Sequence, residues 1–147
     1  EDARIFILDK IEDPHNFGAI ARSCNFFGID AIIFPNRRAA TVNDTVVKSS
    51  AGAIYDIDVC KVSNISQSID KLKEAGFWIY ATDLEGEDIR ECDFSGKAAV
   101  VIGNEGKGVS KNILKNSDKT ITIPNFSDFD SLNASVAAAI VMYEIRR

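Results

Sequence analysis

Short apolar runs and helical stripes alternate along this chain from one end to the other. Residues 4–9 (RIFILD) form an isoleucine-rich run bounded by charge, the pattern of a strand buried on both faces. Phe17, Ile20, Cys24 and Phe27 then recur at steps of three and four, which predicts a helix over 16–27 with Asn16 as a candidate cap and Gly28 as its stop. AIIF (31–34) predicts a second strand, halted by Pro35. A short helix over 43–50 and a strand over 57–62 (IDVCKV) follow. Residues 66–75 put Ile69 and Leu72 on one side of a polar helix that ends at Gly76. Three more strands are predicted at 77–82 (FWIYAT), 98–103 (AAVVIG) and 119–124 (KTITIP). A short helix starts at Ser110, and a last one covers 131–146. Strand and helix in alternation, joined by short connections, predict one α/β domain with a mostly parallel sheet and helices on both faces.

The last helix breaks the amphipathic pattern. In SLNASVAAAIVMYEIRR almost no polar face remains after Ser135, and a helix apolar all round is expected to be buried all round. Three arrangements satisfy that: ordinary core packing, passage through the fold, or a helix–helix subunit interface, for which the alanines permit close backbone approach.

At 147 residues, 46% hydrophobic and 27% charged, the chain has the composition of a single globular domain. No apolar run nears the roughly 20 residues a membrane helix requires, and the start has no signal-peptide pattern. The net charge of −5 argues against nucleic acid on bulk electrostatics. The distribution softens that argument. Residues 83–93 (DLEGEDIRECD) hold six acids and one arginine, so the remainder is near neutral. Small basic spots stand at Arg37, Arg38 and Lys48 and at Lys107, Lys111, Lys115 and Lys119, either solvated surface or contacts for phosphate. Cys24, Cys60 and Cys92 form no CxxC pair, and with a single histidine no zinc site is expected. Reduced thiols fit a cytoplasmic protein.

Three polar, mostly glycine-bearing loops lie where α/β sheets bind ligands, beyond the carboxyl ends of strands. The first is DPHNFGAIAR (13–22), in which Arg22 falls on a helix with an apolar stripe. The second, within VIGNEGKGVS (101–110), places three glycines in the six residues 103–108. The third, within IPNFSDFDSLNASVAAAI (123–140), leads a polar segment into the apolar helix. The glycine spacing is GxxGxG, neither the GxGxxG of a dinucleotide fold nor a phosphate loop ending in GK[ST]. No GxSxG elbow accompanies His15, so that histidine reads as a loop residue rather than a base.

Taken together and in this order, the three loops resemble the SpoU branch of the knotted RNA methyltransferases, over essentially the whole chain. Such enzymes move a methyl group from S-adenosylmethionine to a ribose 2′-hydroxyl. Within the family, residues 36–53 (NRRAATVNDTVVKSSAGA) look most like the enzymes that modify a guanosine of large-subunit ribosomal RNA. The resemblance implies a deep trefoil knot in the C-terminal third and a homodimer near it, with the last helix threaded through the knot. It implies cofactor contacts at Thr82 to Leu84, Gly103 to Gly108 and Ile123 to Leu132, with Gly103, Ile123 and Leu132 assigned by motif position. It also implies catalytic roles for Arg22, Asn16, Glu105, Ser131 and Asn133. Arg22 is the family's general base, although a guanidinium is normally charged throughout the accessible pH range. It can equally stay charged, stabilise the developing alkoxide and hold the adjacent phosphate. Asn16 and Glu105 would orient it, with Glu105 as its carboxylate partner. Ser131 and Asn133, at the start of the last helix, are placed to hold the cofactor carboxylate or RNA, or simply to cap the helix.

Two positions depart from the pattern: many relatives have methionine and glycine where this chain has Asn125 and Ser127. We expect residues 1–147 to be the methyltransferase domain without the family's usual N-terminal RNA-binding domain. The alternatives are a transfer RNA methyltransferase of the same family, a catalytically silent RNA-binding relative, and an unrelated nucleotide-binding α/β enzyme.

Overall fold

The computed structural model describes residues 2–35, 50–52, 56–128 and 131–147. Its strands are β1 (Arg4–Asp9), β2 (Ala31–Pro35), β3 (Asp58–Val62), β4 (Trp78–Asp88), β5 (Ala98–Gly103) and β6 (Lys119–Thr122). Its helices are α1 (Pro14–Phe26), α2 (Ile65–Glu74), α3 (Lys111–Asn116) and α4 (Ala134–Arg146). The helix expected over 43–50 and most of the stretch 36–53 lie outside the described residues.

The strands form one six-stranded sheet in the order β3-β2-β1-β5-β4-β6, and all registered pairs are parallel. Side chains of a strand alternate between faces, so each buried run feeds two cores. Phe6, Leu8, Val100 and Ile102 point to one face, where they meet Phe17, Ile20 and Cys24 of α1 and Ala138, Val141 and Met142 of α4. Ile7, Ala99 and Val101 point to the other, against Ile65 and Ile69 of α2 and Ile113 of α3. The molecule is thus three-layered, with helices on both faces of the sheet as the alternation predicts.

Four boundaries differ from the sequence reading, each for a local reason. Helix α1 begins at Pro14, because Asp13 caps it by accepting from the His15 N–H at 2.9 Å and proline's missing donor costs nothing at the first position. Asn16 therefore sits in the first turn and is not the cap. Strand β4 runs on to Asp88, through the acidic stretch expected to be loop. Thr82 and Glu87 both oppose Ile121, so residues 83–86 bulge out of the sheet between them. Strand β6 ends at Thr122, short of Pro124. Helix α4 begins at Ala134, capped by Asn133, rather than at Ser131.

Helix α4 is also not buried all round. It lies in the helical layer beside α1, and the chain places nothing described beyond it. Ala134, Ala138, Val141, Met142 and Ile145 face inward, whereas Val136, Ile140 and Tyr143 remain exposed, Tyr143 at 60%.

Candidate active site

In an all-parallel sheet every strand delivers its following loop to the same edge. Asp9 is level with Gly103, Ala81 with Val101 and Thr82 with Ile121, so the loops after β1, β5 and β6 and the bulge in β4 share that edge.

The glycine loop is organised by two residues that the motif reading passed over. Asn104 accepts through Oδ1 from the backbone N–H of Gly106 at 2.7 Å and of Lys107 at 3.1 Å, while its carbonyl accepts from Gly108 N at 2.7 Å. Asp9, buried at the end of β1, accepts through Oδ2 from Ser110 N at 2.8 Å and ties the end of the loop to the sheet. The loop folds back tightly on its own start. A Cβ added at Gly103 would lie 2.3 Å from the carbonyl carbon of Gly108 and 2.4 Å from Val109 N, so position 103 admits no side chain. An acid closing a buried strand was the available sequence signal for Asp9; nothing local marked Asn104 apart from its place between glycines.

Glu105 projects from this loop and is taken by the third. The Ser131 hydroxyl donates to the Glu105 carbonyl at 2.9 Å, and Asn133 Nδ2 donates to the Glu105 carboxylate at 3.2 Å. The other end of the Asn133 amide caps α4, accepting from Ser135 N at 2.9 Å. Three of the expected catalytic residues, Glu105, Ser131 and Asn133, therefore meet at one point. Ser131 is not a cap; its hydroxyl is spent on the Glu105 backbone.

Of the expected cofactor positions, Gly103, Gly108 and Leu132 flank that junction in sequence, while Thr82 and Leu84 lie in β4 and Ile123 just after β6. Thr82 Oγ1 donates to the Val101 carbonyl at 3.2 Å, which fixes the point where the bulge leaves the sheet. Leu84, at the bulge, is 76% exposed. Gly86 returns the chain to β6 so closely that a Cβ there would lie 2.6 Å from the backbone of Ile121. Ile123 is half-buried against the core, Gly108 adopts a positive φ of 70°, and Leu132 is exposed. Leu84 lies in the bulge of residues 83–86 and Thr82 just before it, still paired with Ile121, where the resemblance expected a loop. Nearby, Asp88 is held below the usual carboxylate range by its hydrogen bonds with Arg90, and Glu87 lies 3.1 Å from Lys119 Nζ and raises that ammonium's pKa.

Arg22 stands apart. It lies on α1, about 12 Å along the axis from the helix start, exposed and lining a cleft of about 460 Å³ with Ser23, Phe26, Phe27 and Asp56. Among the described residues it forms no ion pair with Glu105, whose carboxylate is instead engaged by Asn133. The expected Arg22–Glu105 pair is thus not formed within this chain, because the helix carries the arginine away from the loop edge. Asn16, half-buried in the first turn of α1, stays near that edge. Among the described residues no group of three or more His, Cys, Asp or Glu side chains gathers for a metal ion, and no helix is long and apolar enough to cross a membrane.

The family model of the SpoU rRNA methylases matches residues 3–143. An uncharacterized tRNA/rRNA methyltransferase of Borreliella burgdorferi is 47% identical over 148 residues, covering 100% of this chain and 65% of its own length. Among solved structures, the SpoU methyltransferase AviRb from Streptomyces viridochromogenes, in complex with AdoMet, superposes with a TM-score of 0.90 at 30% identity. That match covers 100% of this chain and 58% of AviRb. The TrmH/SpoU tRNA modifying enzyme of A. aeolicus gives a TM-score of 0.90 at 33% identity, over 100% of this chain and 75% of that one. This chain therefore spans 58 to 65% of the length of its sequence relatives. With the match running through all three loops of the site, the chain belongs to the SpoU rRNA methylase family.

Proposed function

We propose that this chain transfers a methyl group from S-adenosylmethionine to a ribose 2′-hydroxyl of RNA, the target being a guanosine of large-subunit ribosomal RNA. The observation that carries the reading is the junction at Glu105, where Ser131 and Asn133 join the third loop to a glycine turn that admits no side chain at Gly103. The AdoMet complex of AviRb supports the cofactor. A transfer RNA substrate is the second reading, favoured by the likeness to the tRNA modifying enzyme.

The cradle fits a cofactor held by backbone. Gly103 to Gly108, Thr82 and Leu84 at the bulge of β4, and Ile123 and Leu132 at the two ends of the third loop would hold it, and S-adenosylmethionine supplies there an electrophilic methyl group on a sulfonium. The protein's task is then in-line positioning of the ribose oxygen. Glu105, fixed by Ser131 and Asn133, orients the nucleotide, with Asn16 at the same edge. Arg22 acts at the 2′-oxygen. There a guanidinium stabilises the developing alkoxide and grips the adjacent phosphate. Lys107, Lys111 and Lys115, all exposed beside the glycine loop and in no ion pair among the described residues, supply further phosphate contacts.

The same reading includes a knot and a homodimer in the cytoplasm. From β6 at the sheet edge the chain returns past the glycine loop, where Ser131 holds Glu105, before α4 packs beside α1; this supports threading of the C-terminal third. Exposed Val136, Ile140 and Tyr143 on α4 support the dimer, and Tyr143 packs edge-on to Phe27 with ring centroids 6.4 Å apart. Phe27 also lines the Arg22 cleft, so a second copy on this face brings Arg22 to a composite site.

The test is transfer of labelled methyl from S-adenosylmethionine to unmodified ribosomal RNA, followed by alkaline hydrolysis. A 2′-O-methyl group blocks cleavage of the adjoining phosphodiester, so the label should emerge in a dinucleotide that digests to 2′-O-methylguanosine. Label in a mononucleotide would place the methyl on a base and refute the reading.

A further inference from the structure

The two departures from the family's pattern act together. Asn125 Oδ1 accepts from Ser127 N at 2.9 Å and from Ser127 Oγ at 3.2 Å, a side-chain turn that methionine at 125 cannot make and that glycine at 127 would leave without the hydroxyl bond. Between them Phe126 is 87% exposed, the most exposed of the large hydrophobic residues described. None of the ring pairs among the described residues includes it. A single exposed aromatic ring is ordinary on a protein surface, and Phe126 is set apart by its place in a loop of the proposed site. Its loop is the one that reaches Glu105 through Ser131, five residues further on.

Resting on the RNA methyltransferase reading, we propose that Phe126 is a stacking platform for a nucleobase of the substrate, beside the nucleotide that is modified. Every base offers a π-face, and a phenylalanine ring carries no hydrogen-bonding group, so Phe126 selects an unstacked nucleotide rather than a particular base. The substrate class follows: RNA presented as a loop, bulge or other single-stranded segment. The Asn125–Ser127 turn fixes the backbone that carries the ring before RNA arrives and lowers the ordering cost of capture.

The experiment measures kcat and KM for an unmodified ribosomal RNA transcript, with S-adenosylmethionine affinity and oligomeric state followed in parallel, for the wild type, Phe126→Ala and Phe126→Trp. Loss of one stack, worth ~1–3 kcal/mol, should raise the RNA KM of Phe126→Ala about 5- to 150-fold. Its kcat, cofactor affinity and oligomeric state should stay unchanged, and Phe126→Trp should restore the KM. An unchanged KM overturns the proposal while transfer by the wild type upholds the reading beneath it. A fall in cofactor affinity makes Phe126 a wall of the cofactor site, and a change of oligomeric state makes it an interface residue; either overturns the proposal. A wild type that methylates no RNA defeats both.

Discussion

Asn133 uses both ends of its amide, the oxygen to cap α4 and the nitrogen to hold the Glu105 carboxylate. The two roles are separable. Serine caps a helix about as well as asparagine but lacks the donor that reaches Glu105. Asn133→Ser should therefore keep the stability of the wild type in denaturant titrations and lose methyl transfer. Asn133→Ala should lose transfer and about 1 kcal/mol of stability. Equal transfer by Asn133→Ser and the wild type would show that the contact with Glu105 is incidental. Arg22 gives a complementary case, since it is exposed and forms no ion pair with Glu105. Arg22→Ala should abolish transfer with cofactor affinity intact, measured by single-turnover kinetics and calorimetry; an active variant would remove it from the chemistry. Glu105, Ser131 and Asn133 were legible in the sequence only as members of a motif. That Ser131 bonds the Glu105 backbone, and that Arg22 does not pair with Glu105, depends on where two loops and a helix end in space, which no spacing along the chain encodes.

At the scale of elements, the strands were legible because their apolar runs enter two cores at once. The far half of β4 was not, since Glu85, Glu87 and Asp88 look like loop residues although the last two pair with β6. Glu87 reaches Lys119 of β6 across the pairing, while Asp88 caps the short turn that follows by accepting from Arg90. The bulge before them depends on Gly86, where any side chain meets the Ile121 backbone at 2.6 Å. Backbone cannot swing aside as a flexible side chain can, so Gly86→Ala should cost about 1–3 kcal/mol, as overpacking does. A denaturant midpoint equal to the wild type's would mean that the bulge relaxes freely. The start of α1 was misread for a different reason: Asn16 and Asp13 are both capping residues, and the proline at 14 was the deciding signal.

For the whole molecule, composition foresaw an apolar last helix but not that one side of it stays exposed. A single chain supplies only one layer of helices over that face, so the remaining stripe of Val136, Ile140 and Tyr143 needs a second copy for the dimer we propose. Ile140→Glu should shift the protein from dimer to monomer in size-exclusion chromatography with light scattering, with its far-UV spectrum preserved. A wild type that is already monomeric would contradict the dimer. The net charge was the least informative global quantity, because the acids of 83–93 are partly paired while the lysines beside the glycine loop stand free of carboxylates among the described residues.

The activity we propose requires a single cofactor site built by loops that converge at the carboxyl edge of the sheet, with Gly103 at its centre. Calorimetric titration of the wild type and of Gly103→Ala with S-adenosylmethionine, with NAD as control, tests that most directly. We predict one site per chain in the wild type, no binding of NAD, and loss of S-adenosylmethionine binding in Gly103→Ala, since its Cβ would fall 2.3 Å from Gly108 and push the loop open. Wild-type affinity in a folded Gly103→Ala, or no binding by the wild type, would contradict it.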